Sequence, residues 1–380
     1  MSYDFILIGA TGSQGRIVAQ DLLEKGYKVL LCGRKEFKVA HLLKKYKTAG
    51  FHFIELRDPH DGLMKLKWTR APVVINCAEG DFNLKIQKWC LAHDRHYLDL
   101  GSDVEMTRQQ FALDSQFKKK NLIAMTGCGS VPGIGNVMLR HASKRFDRVH
   151  SAKAGFFWNA NKEVFVVPFS IESIIEEFTE QPTMVHDHHF TKVQPQSQKR
   201  LTVVPGIGKQ MMFMVRHPEY YTFYRYLRTK GIKSVFFYAG FPEFSYDTIM
   251  GFIKAGLGSK VPFPDGHKPI NLLTHALHVA KPPRGYKEKE RLWVTIEGTS
   301  DGKPIEVTMA CIVPTLDRFR DAGCNIDTGI PCALMAQMVH KGEITQRGSK
   351  SPEFFIEPAP FFKLLSKYQM IVTQDGRRIN

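Results

Sequence analysis

Three glycines near the N-terminus stand at the junction between an apolar segment and an amphipathic one. Gly9, Gly12 and Gly15 follow the run FILI and precede RIVAQDLLEKG, whose apolar residues recur at helical spacing until Gly26. In a dinucleotide cradle of this order, the first glycine permits a tight turn, the second lets the backbone approach a pyrophosphate, and the third lets helix and strand pack closely. A glycine-rich turn without a ligand is the alternative. The residues predicted to hold the nucleotide in this turn are Gly9, Thr11, Gly12, Ser13, Gln14 and Gly15.

The second predicted strand, YKVLLCG, ends on basic residues instead of an acidic one. A carboxylate at this position accepts hydrogen bonds from ribose hydroxyls in NAD sites, and it would repel a 2′-phosphate. The chain has Arg34 and Lys35 here. A guanidinium can grip a phosphate with two hydrogen bonds and stack on adenine. Arg34 therefore favours NADP over NAD, and Lys35 is either a second phosphate ligand or a solvated lysine.

The first part of the chain alternates strand-like apolar runs with helical segments. Further strands are predicted at residues 51–56, 71–78, 96–101 and 122–129. Strands joined by right-handed helical crossovers form a Rossmann-type doubly wound parallel sheet, which binds ligands at the carboxyl ends of its strands. Cys77 and Ala78 are predicted to lie at that edge.

From about Asp147 the pattern changes to runs typical of antiparallel strands. The clearest is RLWVTIEGTSDGKPIEVTMACIV, in which Asp301 and Gly302 separate two alternating segments as a hairpin turn. An α+β substrate domain with a largely antiparallel sheet is therefore predicted for the middle of the chain. After it, DTGIPCALMAQMVHKG and PAPFFKLLSKY return to helical periodicity.

These patterns divide the chain into a nucleotide-binding domain at 1–130, a substrate domain at 131–326 and C-terminal helices at 327–380. The last helices have no apolar partner nearby in sequence, so they are expected to pack back on the first domain and cover a sheet face. The middle domain would then be joined by two crossings, near Gly127–Gly133 and Gly323–Gly329, and could close by hinging there.

Several residues in and beyond this frame are candidates for contact with a substrate. Asp99 is the one acid in an apolar strand end, and either catalysis or capping of a neighbouring helix or turn would explain it. The loop GCGSVPGIGN can bring backbone amides to a substrate or serve as a hinge. Cys128 in this loop is predicted to be a small apolar filler. The substrate-binding candidates are Gly129, Ser130, Pro132, Gly133, Asn136 and, for a substrate carboxylate, Arg216.

Two other segments invite different functions. His186, His188 and His189 lie close together, but no cysteine or further ligand cluster accompanies them, so a polar hairpin tip is favoured and no metal site is predicted. The segment HPEYYTFYRYLR is predicted to be an amphipathic helix, because Pro218 suits its first turn and Gly231 suits its end. Tyrosines at helical spacing favour a core or an interface over RNA stacking.

Composition and charge narrow the class of protein. The 380 residues are 43% hydrophobic and 24% charged, which is typical of a soluble globular protein. The formal net charge of +16 suits nucleic acid, an anionic membrane or anionic small molecules, and the absence of a long basic block favours the last. Seven scattered cysteines without CxxC spacing indicate a reducing compartment. Without a signal-like N-terminus or a membrane-length apolar run, a cytoplasmic location is expected.

Four motifs, taken in order, resemble the saccharopine dehydrogenase family, in particular its lysine 6-dehydrogenase-like branch. They are GATGSQGRIVAQDLL, CGRK, YLDLGSD and GCGSVPGIGNVM, and later segments from SIESIIEEFTEQPTMV to PEFFIEPAPFFKLL extend the resemblance over nearly the whole chain. The resemblance implies oxidation of an amine of an amino acid to an imine with NAD(P), or the reverse reduction. It also implies a homodimer formed through the middle domain.

Carried over by position, the resemblance places Cys77 and Ala78 beside the nicotinamide ribose, and Asp99 with Gly129–Gly133 beside the substrate. The chain departs from the GPF-like pattern of relatives at Glu79 and Asp81, which would change the polarity of the site.

The leading hypothesis is an NADP-dependent oxidoreductase that acts at a C–N bond of a lysine-like or saccharopine-like amino acid. The cofactor carries the hydride, so the protein must position both partners and handle the amine proton. Asp99 is the first candidate for that proton and Lys153 the second. The alternatives are reduction of another imine, such as a polyamine precursor, reduction of a lipid-like enone, and a non-catalytic nucleotide-binding scaffold whose basic surface holds RNA or a membrane.

Overall fold

The computed structural model describes residues 2–380 except 59–61, 102, 168, 169, 280, 281 and 323, and the backbone alone at residue 278. The chain forms two compact units. The first unit comprises Met1–Lys144, Leu316–Gln369 and Ile379–Asn380, and the second comprises Arg145–Thr315 and Met370–Arg378.

The strands, numbered in chain order, are β1 (Phe5–Ile8), β2 (Val29–Gly33), β3 (Ala49–Phe53), β4 (Val73–Asn76), β5 (His96–Asp99), β6 (Ile123–Met125), β7 (Arg148–Ala160), β8 (Thr183–His186), β9 (His189–Lys192), β10 (Arg200–Val204), β11 (Gly208–Met214), β12 (Ser234–Phe241), β13 (Glu288–Ser300), β14 (Lys303–Pro314), β15 (Gly348–Lys350), β16 (Ile371–Gln374) and β17 (Arg377–Arg378). The α-helices are α1 (Ser13–Glu24), α2 (Ala40–Lys45), α3 (Asn83–Ala92), α4 (Val104–Phe111), α5 (Asp114–Lys119), α6 (Ile134–Ser143), α7 (Ile171–Thr179), α8 (Glu219–Leu227), α9 (Glu243–Lys254), α10 (Pro269–Val279), α11 (Gly329–His340), α12 (Pro352–Phe355) and α13 (Pro358–Ser366). Short 3₁₀ helices span Glu36–Lys38, Leu63–Leu66, Gly80–Phe82, Arg228–Lys230 and Asp317–Ala322.

The first unit is built on a parallel sheet. Among the described residues, its seven strands run in the order β15-β6-β5-β4-β1-β2-β3, and neighbouring strands pair in parallel. The chain moves outward from β1 to β3 and then returns to place β4 on the other side of β1. The strand order therefore reverses between β1 and β4, which is where doubly wound sheets bind ligands. The predicted Rossmann-type sheet is confirmed.

Burial explains the sequence patterns of the first unit. All four residues of β1 have no exposed surface, as expected for a strand that is covered on both faces. Helix α1 buries one apolar stripe and ends before Gly26, whose φ of +83° favours glycine. Helix α11 buries every residue from Gly329 to Val339, because it contacts α1, β4 and β5. A helix that is apolar all round needs this kind of enclosure.

The second unit contains a mixed, mostly antiparallel sheet. Its main path runs β10-β11-β12-β7-β13-β14-β16-β17, and the β8–β9 hairpin attaches to β12. Strands β7 and β12 pair in parallel, whereas β13 is antiparallel to both of its neighbours, β7 and β14. The ring centroids of Phe178, Phe213 and Phe241 lie 4.9 to 6.1 Å apart. Together the two sheets confirm the predicted fold class.

Local predictions for the second unit are also confirmed. Asp301 and Gly302 have φ values of +48° and +70° and join β13 to β14 as a tight hairpin turn. Asp187 and His188, with φ values of +47° and +69°, form the tip of the β8–β9 hairpin. Helix α8 buries Tyr220, Phe223 and Leu227, so its aromatic residues contribute to the core.

The bounds of the two compact units differ from the domain boundaries predicted at 130 and 326. The first unit continues to Lys144, because α6 packs on α12 and α13, and the second unit ends at Thr315. The chain returns to the second unit at Met370–Arg378, where β16 pairs with β14, so it passes between the units four times and not twice. Both predicted hinge segments, Gly127–Gly133 and 324–329, lie inside the first unit, and residue 323 lies outside the described residues.

Candidate nucleotide-binding site

The carboxyl ends of four strands meet at one edge of the parallel sheet. In the register of the sheet, Ile8 lies beside Cys32 and Asn76, and Gly33 lies beside Phe53. The residues that follow these strands line a common cleft of about 260 Å³ at the switch point. The cleft therefore lies where the parallel topology predicts a ligand.

The glycine turn requires glycine for steric reasons at two of its three positions. Gly9 has a φ of +77°, and a Cβ there would lie 2.4 Å from the backbone nitrogen of Ala78. A Cβ on Gly15 would lie 2.1 Å from the carbonyl oxygen of Gly9. Gly12 precedes α1 and lines the cleft, and the nearest atom to a Cβ there is 3.3 Å away. Gly9 and Gly15 thus shape the turn, while Gly12 leaves space at the helix N-terminus.

The polar residues of the turn have different neighbours. Thr11 lines the cleft, and its Oγ1 would lie 2.7 Å from a Cβ on Gly33. Ser13 is exposed as the first residue of α1. Gln14 donates from Nε2 to the carbonyl of Asn325 at 3.3 Å. Thr11 and Ser13 are therefore open to a phosphate group, whereas Gln14 fastens the turn to the segment that follows the 3₁₀ helix Asp317–Ala322.

Positive charge gathers where β2 ends. Arg34 and Lys35 are exposed, and Lys38 joins them in the cleft lining from the 3₁₀ helix Glu36–Lys38. Burial lowers the pKa of Lys38, and repulsion from Arg16 and Lys35 lowers it further. A bound anion would relieve this repulsion. Sequence reasoning missed Lys38, although its spacing of three residues from Lys35 is a signal for two side chains on one helical face.

The facing wall of the cleft carries charges in pairs. Oε2 of Glu55 lies 3.5 Å from Nη1 of Arg34, and Nη2 of Arg57 lies 2.5 Å from Oε2 of Glu79. Sequence reasoning missed Glu55 and Arg57, and Glu55 was missed because the predicted third strand ran to residue 56. The strand β3 ends at Phe53 instead, and the residues after it form a loop that lines the cleft.

The turn after β4 is held by two asparagines. Asn76 donates from Nδ2 to Oδ1 of Asn83 at 2.7 Å, and its Oδ1 accepts from the backbone nitrogen of Ala78 at 3.0 Å. Cys77 and Ala78 are half-buried and line the cleft, as predicted for residues at this edge.

These features fit a dinucleotide. The glycine turn and the N-terminus of α1 offer backbone N–H groups to a pyrophosphate. Arg34, Lys35 and Lys38 supply cations at the end of β2, where an adenosine phosphate would lie. Ile54 and Leu56, which also line the cleft, offer an apolar surface to a base.

Asp99 does not line the cleft, and its catalytic role stays a prediction. Its carboxylate has no exposed surface and accepts four hydrogen bonds. Oδ1 accepts from the backbone nitrogens of Gly101 and Gly127 at 3.0 and 2.9 Å, and Oδ2 accepts from Tyr97 Oη and Gln110 Nε2 at 2.9 and 2.6 Å. Burial raises the pKa of Asp99, and these donors oppose that rise. The capping interpretation accounts for the two bonds from backbone nitrogens, and the other two come from side chains.

The loop Gly127–Gly133 makes contacts mainly with itself and its own unit. A Cβ on Gly133 would lie 1.8 Å from the carbonyl oxygen of Gly129. Oδ1 of Asn136 accepts from the backbone nitrogen of Gly133 at 2.7 Å, and its Nδ2 donates to Glu353 Oε2 at 2.8 Å. Asn136 has no exposed surface, and these two bonds give it a structural role, so its contact with a substrate stays a prediction. Gly129, Pro132 and Cys128 are also buried, whereas the half-buried Ser130 stays a candidate.

Lys153 and Arg216 lie in the second unit, where each is ion-paired. Lys153 Nζ lies 2.5 Å from Glu297 Oε1, and Arg216 Nη1 lies 2.5 Å from Glu180 Oε2. Lys153 lowers the pKa of Glu297, with a further contribution from Ser151. The roles of Lys153 in proton transfer and of Arg216 in carboxylate binding stay predictions, and either role requires its ion pair to open.

Neither a metal centre nor a membrane span is found in the part of the chain that the structure describes. No group of three or more His, Cys, Asp or Glu side chains there is arranged to hold a metal ion. None of the described helices has both the length and the apolar composition to cross a bilayer.

Comparison with known proteins agrees with this architecture. The chain is similar over 95% of its length to the carboxyaminopropylagmatine dehydrogenase of a Synechocystis species, with 25% identity and 95% of that protein covered. Its fold is similar to that of the L-Glu-forming saccharopine dehydrogenase of Saccharomyces cerevisiae, with a TM-score of 0.74 at 13% identity and full coverage of both chains.

Two family models match nearly the whole chain. Residues 5–125 match the saccharopine dehydrogenase NADP binding domain, and residues 129–371 match the saccharopine dehydrogenase C-terminal domain. The first match covers the glycine turn and the cationic end of β2, so the nucleotide of the cleft is a nicotinamide cofactor. The resemblance seen in the motifs is confirmed: the chain belongs to the saccharopine dehydrogenase family and is an oxidoreductase that acts on amine–carbon bonds.

Proposed function

We propose that the protein is an NADP-dependent oxidoreductase that transfers hydride at the C–N bond of a secondary amine containing an amino-acid group. The observation that carries the cofactor assignment is the cationic end of β2, where Arg34, Lys35 and Lys38 line the cleft in the place of an acidic ribose ligand. Bound there, the nicotinamide supplies or accepts the hydride, while the protein binds and orients it.

Different residues of the chain would bind different parts of the nucleotide. Backbone N–H groups of the turn from Gly9 to Gly15 and the N-terminus of α1 would bind the pyrophosphate. Arg34 would bind the 2′-phosphate with two hydrogen bonds, with Lys35 and Lys38 adding charge. Cys77 and Ala78, at the end of β4, would border the nicotinamide ribose.

The similarity to the Synechocystis enzyme favours a polyamine-type substrate over free lysine. The name of that relative describes a substrate in which a carboxyaminopropyl group is joined to agmatine. Saccharopine-type substrates share with it an amine that links an amino-acid fragment to a second group. We therefore propose a substrate of this linked type, and the polyamine-derived member is the first to test.

The test is a panel of amines assayed for reduction of NADP⁺ and of NAD⁺ by the absorbance of the reduced nucleotide. Saccharopine, lysine, carboxyaminopropylagmatine and further secondary amines made from amino acids and polyamines form the panel. Turnover of a linked secondary amine with a lower KM for NADP⁺ than for NAD⁺ is expected. Turnover of primary amines alone would contradict the substrate proposal, and an equal or lower KM for NAD⁺ would contradict the cofactor proposal.

A further inference from the structure

The cofactor cleft contains a carboxylate that comes from an unusual element. Sites of this fold usually take their acidic ribose ligand from the end of the second strand, where this chain has Arg34. Glu55 instead follows β3, the neighbour of β2 in the sheet. Gly33 pairs with Phe53 at the last position of the two strands, and Arg34 and Glu55, which follow these residues by one and two positions, both line the cleft.

Both carboxylate oxygens of Glu55 are engaged. Oε1 accepts from the backbone nitrogen of Arg57 at 3.1 Å, which fixes the side chain at the start of its own loop. Oε2 faces Nη1 of Arg34 at 3.5 Å, a loose ion pair between partly exposed side chains. The hydrogen bond from Arg57 lowers the pKa of Glu55, and Arg34 lowers it further, so the carboxylate is ionised at neutral pH. A fixed negative charge therefore stands beside the guanidinium that a 2′-phosphate needs.

This arrangement affects the two nicotinamide nucleotides in opposite directions. A 2′-phosphate must compete with Glu55 for Arg34 and is repelled by the carboxylate at the same time. A free 2′-hydroxyl of the ribose can donate a hydrogen bond to the carboxylate of Glu55. This carboxylate would replace the one that is usually found at the end of the second strand. The same ion pair thus weakens the phosphate site and supplies part of a hydroxyl site.

We propose that Glu55 is a specificity-determining residue that acts through Arg34 and narrows the preference of the cleft for NADPH over NADH. The proposal rests on the proposed NADP dependence and adds to it that NADH also binds with measurable affinity. Removing the charge of Glu55 makes the cleft more selective for NADPH, while the rest of the cleft is unchanged.

The test is the dissociation constant of each reduced nucleotide, measured by fluorescence titration without substrate. In Glu55→Gln, we expect the ratio of the NADH constant to the NADPH constant to rise about tenfold, as for the loss of one unit charge beside a phosphate in a partly solvated cleft. Glu105→Gln is the matched control, because Glu105 is a carboxylate of α4 that is ion-paired with Arg108 and does not line the cleft. An unchanged ratio in that control separates the local effect from the change in net charge.

The double variant Arg34→Met with Glu55→Gln tests the pathway of the effect. Because Glu55 acts through Arg34 as well as directly on the ribose and its phosphate, Glu55→Gln should shift the ratio clearly less in the Arg34→Met background, by about threefold. The same tenfold shift in both backgrounds would overturn the proposal, as would an equal ratio in Glu55→Gln and Glu105→Gln. Failure of the wild-type protein to bind either nucleotide would instead overturn the proposed function, so the two failures are distinguishable.

Discussion

Arg34 is the residue whose chemistry separates the two nucleotides most directly. Its guanidinium is partly exposed and directly follows β2. Among side chains, only a guanidinium can bind a phosphate with two parallel hydrogen bonds. We expect Arg34→Asp to weaken NADPH binding about 100-fold, because the change removes the phosphate ligand and adds a second carboxylate near Glu55.

Binding of NADH to Arg34→Asp should stay within about threefold of wild type, since an aspartate can accept from ribose hydroxyls. Fluorescence titration with both nucleotides measures the two effects. The variant Arg108→Asp makes the same charge reversal on α4, outside the cleft. A wild-type ratio of the two constants in Arg34→Asp would contradict the NADP assignment.

The buried carboxylate of Asp99 stabilises the fold through its hydrogen bonds. Both carboxylate oxygens of Asp99 accept hydrogen bonds, whereas asparagine has only one acceptor oxygen. In Asp99→Asn, the amide NH2 group therefore faces donors that the second carboxylate oxygen satisfied. We expect a loss of about 2–4 kcal/mol in the free energy of unfolding, since buried donors are left unpaired. Urea unfolding measures it, with the exposed Asp81→Asn as a control that should change stability by less than about 0.5 kcal/mol.

The folded fraction of Asp99→Asn should bind NADPH normally, because Asp99 does not line the cleft. Wild-type stability combined with lost turnover on an identified substrate would support the catalytic role that the sequence suggested.

At the scale of elements, the glycines of the β1–α1 turn have two different roles: Gly15 allows close packing of the backbone, and Gly12 leaves space for the nucleotide. Gly15→Ala would place a Cβ 2.1 Å from the backbone of Gly9, and neither backbone segment can move without shifting β1 or α1. We expect this variant to lose more than about 3 kcal/mol of stability or to fail to fold. Gly12→Ala should cost less, about 1 kcal/mol, because its φ is −76° and the tight contact of 3.3 Å between the new Cβ and the carbonyl oxygen of Gly9 needs a shift of only a few tenths of an ångström.

Gly12→Ala should nevertheless bind NADPH at least about tenfold more weakly, since its methyl group enters the space that the pyrophosphate needs. Thermal unfolding and nucleotide titration of both variants measure the two effects separately. Full NADPH affinity in a folded Gly12→Ala protein would show that the nucleotide does not approach the backbone at this turn.

The elements also show the limit of periodicity as a guide. Apolar runs located the first six strands of the parallel sheet but not β15, and the third was placed two to three residues too far along the chain. Because of this error, Glu55 was assigned to a strand instead of to the loop that lines the cleft, and its ion pair with Arg34 was not predicted. The periodicity of α11 indicates one apolar face with Ile330, Leu334 and Met338, but the helix buries every residue from Gly329 to Val339 and contacts α1, β4, β5 and α13. Tertiary contacts decide such cases.

At the scale of the whole molecule, the first unit is assembled from distant parts of the chain. Strand β15 pairs with β6, and Tyr368 and Gln337 both donate to the buried carboxylate of Asp21 on α1. We expect a chain ending at Thr315 to lose nucleotide binding and cooperative unfolding, because it lacks α11 and leaves a core face of the parallel sheet exposed.

A chain that ends at Gln369 is the matched control, because it lacks β16 and β17 of the second unit but keeps α11, β15 and Tyr368. It should still bind NADPH. Circular dichroism during heating and NADPH titration compare the two. A protein ending at Thr315 that folds and binds NADPH with wild-type affinity would contradict the assembly of the first unit from both ends of the chain.

The sequence by itself determined the features that depend on near neighbours in the chain. Side-chain periodicity located strands and helices, and the order of strand, glycine turn and helix identified the cradle, because these signals arise within a few residues. The same holds for the cationic end of β2 and for the two hairpin turns with positive φ. Motifs in fixed order were enough to identify the family.

Only the tertiary structure decided which side chains meet across long stretches of sequence. Glu55 pairs with Arg34 across 21 residues, Asn136 with Glu353 across 217, and Gln14 with Asn325 across 311. It also enclosed Asp99 among donors from three different segments, which gives this carboxylate a structural role. Burial and ion pairing arise when segments that are distant in sequence come together, and local residue patterns do not predict which segments do so.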